Sequence, residues 1–158
     1  MGASAQQRKA RTCNLIFIGN SITEGALHAN KKQTAPPVLA ADFVGKKLST
    51  DVHFRNCGRS GATTVDFLPE QKRDFVRVER AIEEIKALSY EPIIFSIMLG
   101  TNDLLEGATA GEAAARMEAF LNRCNMPMIL LISPPPMVRG AWVPNDGLVE
   151  ESKNLARQ

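Results

Sequence analysis

Three short segments, each just after an apolar run, hold residues that could do chemistry together. They are Gly19-Asn20-Ser21-Ile22-Thr23, Asn56-Cys57-Gly58-Arg59-Ser60-Gly61 and Gly100-Thr101-Asn102-Asp103. The first offers a serine hydroxyl, the second a glycine backbone amide and the third an asparagine side-chain amide. A hydroxyl that attacks a carbonyl needs donors for the oxyanion that forms, and these segments supply both. The hydroxyl also needs a base, usually histidine, and no histidine follows Asn102.

Each segment alone has a plainer reading. Serine at the start of a turn commonly caps exposed backbone amides, so Ser21 alone reads more readily as a cap than as a nucleophile. Gly58 and Gly61 could be turn glycines. Asn102 and Asp103 could cap the segment that follows, with Glu106 completing a local network. What favours chemistry is that all three occur in order at three successive strand ends.

The elements that must position these residues alternate between strand and helix. The run Cys13 to Ile18 is apolar but for Asn14, as a strand covered on both faces would be. Pro36-Pro37 predicts a helix start, continuing to about Leu48 and burying Val38, Leu39, Phe43 and Val44. Val52 to Asn56 reads as a second strand. Phe75, Val78, Ile82, Ile85 and Leu88 recur at spacings of three and four, predicting an amphipathic helix over Lys72 to Ser89. Ile93 to Leu99 is the third strand; Ala113, Met117, Phe120 and Leu121 mark a further helix. Met128 to Ile132 is the fourth strand, ended by Pro134-Pro135-Pro136, and a last helical stretch lies near Leu148 to Arg157.

Such alternation predicts an α/β fold, a parallel sheet with helices on both faces. Sites in open sheets of this kind form beyond the carboxyl ends of the strands. Ser21 follows the first strand, Gly58 the second, Asn102 the third and Ser133 the fourth, so one edge of the sheet should receive them all.

The 158 residues suit one domain, expected over 13–158 after a flexible tail at 1–12. Hydrophobic residues make up 44% and charged residues 23%, an ordinary globular balance. The 19 basic and 17 acidic residues give a formal charge of +2, too near neutral to suggest nucleic acid or an anionic membrane as partner. No apolar run approaches membrane-spanning length. Met1 to Arg11 lacks the apolar segment of a secretory signal, and the compartment stays open between cytoplasmic and secreted or periplasmic. Cys13, Cys57 and Cys124 read as small hydrophobes; neither they nor the two histidines suggest a metal site, and no cofactor is called for. The Gly19 to Gly25 turn lacks the lysine of a P-loop and the glycine spacing of a dinucleotide site.

The three segments resemble the first three sequence blocks of the SGNH (GDSL-like) hydrolases, over about Cys13 to Ile132. The resemblance implies a three-layer α/β/α flavodoxin-like fold. It also implies an esterase or acylhydrolase acting on small or carbohydrate-borne acyl esters. Ser21 would be the nucleophile, with the Ser21 and Gly58 backbone amides and the Asn102 side chain as the oxyanion hole. Asn20, which stands where many members have aspartate, together with Arg59, Asp103 and Trp142, would lie along the substrate. Trp142 belongs to the Pro134 to Pro144 loop, with Met137 and Arg139, expected to line or cover the pocket.

One block is not matched. The family's fourth block, Asp-x-x-His, supplies the base and its orienting carboxylate. Here Gly25 and Thr50 stand three residues ahead of His28 and His53, and Asp146-Gly147-Leu148-Val149 places valine at the base position. The expectation is therefore a fold incomplete at its C-terminus, short of a strand and helix of roughly 40 residues. The sheet edge beside Met128 to Ile132 would then be open, to be covered by a second copy or another chain. Two functional readings stand: a serine ester hydrolase for a small-molecule ester, or a non-catalytic scaffold that keeps the acyl pocket without a base.

Overall fold

The computed structural model describes residues 11–134 and 146–157. Four strands form one fully parallel sheet: β1 (Thr12–Gly19), β2 (Asp51–Gly58), β3 (Ile93–Met98) and β4 (Met128–Leu131), in the order β2-β1-β3-β4. The apolar run of β1 makes it the central strand, with Leu15, Ile16 and Ile18 buried. Seven helices accompany the sheet in the described residues: α1 (Ser21–Glu24), α2 (Lys31–Thr34), α3 (Pro36–Leu48), α4 (Asp74–Leu88), α5 (Thr101–Leu105), α6 (Ala110–Cys124) and α7 (Asp146–Leu155). Two 3₁₀ turns, Val65–Phe67 and Pro69–Gln71, precede α4.

Right-handed crossovers decide the layers. The connection from β1 to β2 runs one way along the sheet, and the connection from β2 to β3 runs back past β1. Their helices α3 and α4 therefore lie on opposite faces. The main core fills the α4–α6 side, where Ile16, Ile18, Phe95 and Ile97 of the sheet meet Phe75, Val78 and Ile85 of α4 and Met117 and Phe120 of α6. Phe120 anchors this layer with Phe67 (5.6 Å between centroids) and Phe75 (6.3 Å). Thr109 begins α6 with a capping box, its hydroxyl accepting from the Glu112 amide while the Glu112 carboxylate accepts from the Thr109 amide.

The opposite face is thinner, and the expected burial of α3 is corrected there. Pro37 and Ala41 are the buried residues of this helix, Val38 and Val44 are half-buried, and Leu39 and Phe43 are 53% and 66% exposed. A stripe of proline and alanine one helical turn apart lets α3 sit close over β1 and β2. Leu39 and Phe43 then point away at the helical period. Leu88, expected on the buried face of α4, is also exposed, at the last residue of that helix. β4 is the outer strand of the described sheet, and Met128, Ile129, Leu130 and Ile132 are exposed along it.

The strand ends are level. Gly19 pairs with Gly58 on one side and with Met98 on the other, so β1, β2 and β3 finish together at one edge. Among the described residues no helix is long and apolar enough to cross a membrane. The expected tail at 1–12 lies outside the described residues as far as residue 10, and Thr12 already opens β1.

Candidate active site

Ser21 is the first residue of α1, immediately beyond the end of β1. Asn20 caps that helix by accepting from the Ile22 amide (3.0 Å), and Gly25 closes it in the left-handed conformation (φ 77°). So short a helix between two caps fixes the backbone of Ser21. Its hydroxyl and its amide have no hydrogen-bond partner among the described residues, which leaves both available at the strand-end edge.

The turn after β2 is stitched to this helix. Asn56 Nδ2 donates to the Thr23 carbonyl (3.0 Å) and the Arg59 amide to the Gly19 carbonyl (3.1 Å). The Ser60 amide and hydroxyl both donate to Glu24 Oε2 (2.6 and 2.5 Å). On the other side the turn is stitched to α5: Asn102 Nδ2 donates to the Ala62 carbonyl (2.8 Å), and the Thr64 amide and hydroxyl donate to the Asp103 carboxylate. One hydrogen-bonded layer thus runs from the Ser21 helix through residues 56–64 to Asn102.

This layer also engages several of the residues expected at the site. The Gly58 amide, expected as an oxyanion donor, donates to Asn56 Oδ1 (2.9 Å), two residues back, in this structure. Glycine is required at that position for another reason: a Cβ there would lie 2.4 Å from the Glu24 nitrogen. The amide that is free is that of Gly61, which has no partner among the described residues, a φ of +74° and open space around it. Asn20 is buried as the cap of α1. Arg59 is held by Asp66 (2.9 Å) and by the buried Asp74 (2.6 Å). Asp103 is buried against Thr64, with Arg116 at 3.5 Å. Arg59 and Asp103 therefore brace the turn. Trp142 lies outside the described residues.

Glu24 and Gly61 are the residues that sequence reasoning missed. The signal for Glu24 was a carboxylate on the same helical turn as Ser21. Hydrogen bonds from Lys31 and from Ser60 hold the Glu24 carboxyl down to about 2, so it is ionised at any ordinary pH. Gly100 is a glycine for two reasons: its φ is +109°, and a Cβ would lie 2.8 Å from the Leu148 side chain, which packs α7 against the turn that presents Asn102.

His28 and Ser21 line one small hollow of about 130 Å³. The Thr34 hydroxyl donates to the Asn30 carbonyl (2.9 Å) and meets His28 Nδ1 at 3.1 Å. His53 is within β2, opposite Asn14 of β1. The three cysteines are free; burial pushes the Cys57 and Cys124 thiols up to about 11 and raises that of Cys13, so they behave as packing groups. No three His, Cys, Asp or Glu side chains among the described residues are grouped to hold a metal ion.

The sequence profile of the GDSL-like lipase/acylhydrolase family matches residues 17–158. The chain belongs to this family. Its fold is similar to that of the SGNH-hydrolase family esterase AlinE4 (20% identity, TM-score 0.63), covering 94% of this chain and 73% of that one. It is also similar to the lipase/acylhydrolase from Enterococcus faecalis (18%, TM-score 0.65, covering 92% and 71%). A third likeness is to a carbohydrate acetylesterase family member from Sinorhizobium meliloti (21%, TM-score 0.57, covering 92% and 75%). At these identities the likenesses establish the fold, the three-layer SGNH arrangement. No curated protein matches the chain. Membership of the GDSL-like family makes it a carboxylic ester hydrolase by descent.

Proposed function

We propose that Ser21 is the nucleophile of a serine ester hydrolase acting on small or carbohydrate-borne acyl esters. The observation that carries this reading is the free Ser21 hydroxyl on a hydrogen-bonded layer that also holds two further unpartnered donors. Those donors are the Gly61 amide and the second N–H of Asn102 Nδ2, whose first is held by Ala62. The Ser21 amide is the third. Attack of Ser21 Oγ on the acyl carbonyl would form a tetrahedral intermediate whose oxyanion these groups receive. Donors fixed beforehand need no reorganisation as charge develops, which is why such sites lower the barrier. Collapse expels the alcohol and leaves an acyl-serine, which water then cleaves.

The second reading, acyl binding without turnover, is favoured by the sequence position of the two histidines, neither of which falls in an Asp-x-x-His block. Loss of a base typically costs several orders of magnitude yet leaves residual catalysis from the oxyanion hole. Hydrolysis of p-nitrophenyl acetate by the chain, measured against its Ser21→Ala variant, separates the readings. Turnover that disappears with Ser21 supports the hydrolase; equal rates for the two proteins support the scaffold.

A further inference from the structure

The Gly61 amide has no bond of its own to hold it, so its place is inherited from its neighbours in the turn. Arg59 is anchored to β1 through its amide and to Asp66 and Asp74 through its guanidinium. Ala62 is anchored to Asn102. Ser60, the residue bonded directly to Gly61, has its amide and its hydroxyl both anchored by Glu24, while its carbonyl accepts from the guanidinium of the neighbouring Arg59 (2.9 Å). Glu24 is three residues after Ser21, on the same short helix.

We propose that Glu24 is a positioning residue for the oxyanion site, clamping the Ser60–Gly61 turn to the Ser21 helix so that nucleophile and donor move as one unit. The proposal rests on the ester-hydrolase reading of the site. One carboxylate oxygen takes both Ser60 donors, and the other takes Lys31 Nζ (2.7 Å). Bonds to an ionised acceptor are shorter and stronger than neutral ones, which suits a clamp that spans 36 residues of chain. The low pKa of Glu24 agrees with this arrangement, because the same partners stabilise the charged form. Arg59 does not compete for the carboxylate, being engaged with Asp66 and Asp74. A donor displaced by a fraction of an ångström loses most of its effect on the transition state and little of its effect on substrate binding.

The test compares Glu24→Ala, Glu24→Gln, Ser60→Ala and Lys31→Met in the full chain, with p-nitrophenyl acetate as substrate and hydrogen exchange as a second readout. Glu24→Ala should lower kcat about tenfold and leave KM within about twofold, the pattern of a lost transition-state interaction. Glu24→Gln, which keeps one acceptor oxygen, and Ser60→Ala, which keeps the amide bond, should each fall about threefold. Lys31→Met keeps both Ser60 bonds and should stay within about twofold of the parent. The Ser60 and Ala62 amides, which are hydrogen-bonded, should exchange about tenfold faster in Glu24→Ala. Unchanged kcat per folded Glu24→Ala molecule, even with a lowered Tm, would reduce Glu24 to a structural bond and overturn the proposal. So would unchanged exchange at the Ser60 and Ala62 amides, whatever the turnover. Should the parent chain show no Ser21-dependent hydrolysis, the ester-hydrolase reading fails, and the exchange measurement still decides whether the clamp exists.

Discussion

Asn102 donates one of its two side-chain N–H groups to the carbonyl of Ala62, at 2.8 Å and across 40 residues of sequence. That bond fixes the direction of the other N–H, and it ties the turn after β2 to the turn after β3. The same side chain is therefore both a structural link and a candidate oxyanion donor, and the two roles can be separated by measurement.

Replacing Asn102 with alanine removes both roles. We expect kcat for an activated ester to fall by about 10²–10³, the cost of one oxyanion donor. The carbonyl of the buried Ala62 also loses its partner, so stability should fall by about 1–3 kcal/mol. Parallel kinetics and denaturant unfolding check this. A variant several kcal/mol less stable but with unchanged kcat per folded molecule would make Asn102 a structural residue only.

Gly58 and Gly61 should respond differently to alanine. At Gly58 a Cβ meets the Thr23–Glu24 backbone at 2.4–2.9 Å, so Gly58→Ala must displace α1 from the strand end. Overpacking against backbone costs about 1–3 kcal/mol, and the thermal midpoint should drop accordingly. At Gly61 the space is open and only the φ of +74° is unfavourable, a cost of about 1 kcal/mol. Gly61→Ala should thus lose proportionately more kcat than stability. The reverse ranking would return the donor role to Gly58.

Much of the fold was legible because β1 carries Leu15, Ile16, Phe17 and Ile18 without interruption and β3 and β4 are almost wholly apolar. The α3 face was not legible, since apolar residues occupy nearly every position from Pro36 to Val44 and give no single stripe. Ser21 and Asn102 could be placed because each directly follows a strand. Which glycine amide is free could not, because it depends on Asn56 folding back onto Gly58 and on Glu24 reaching Ser60. The bracing partners of Arg59 and Asp103 were illegible for a similar reason: Asp74 and Thr64 are brought to them by the tertiary fold.

Acid should loosen the Glu24 clamp in a definite direction. The folded carboxyl is held at about 2, below the ordinary unfolded value of about 4.3, so folding favours its ionised form. Its contribution to stability is full above that unfolded value and is lost as pH falls from about 4.5 towards 2. Glu24→Gln has no such dependence. The gap between the urea midpoints of the parent chain and Glu24→Gln should therefore be constant from pH 7 to 5 and narrow below 4.5. A gap that widened on acidification would contradict the assigned interaction.

The central claim is that Ser21 is the nucleophile, and the direct measurement is covalent trapping with an alkylphosphonate ester reagent, read by peptide mass spectrometry. The account predicts a single stoichiometric adduct on the peptide containing Ser21, absent in Ser21→Ala and formed about tenfold or more slowly in Asn102→Ala, because the phosphonate oxygen uses the same donors. An adduct on a different residue, or labelling of Ser21→Ala at the parent rate, would contradict it.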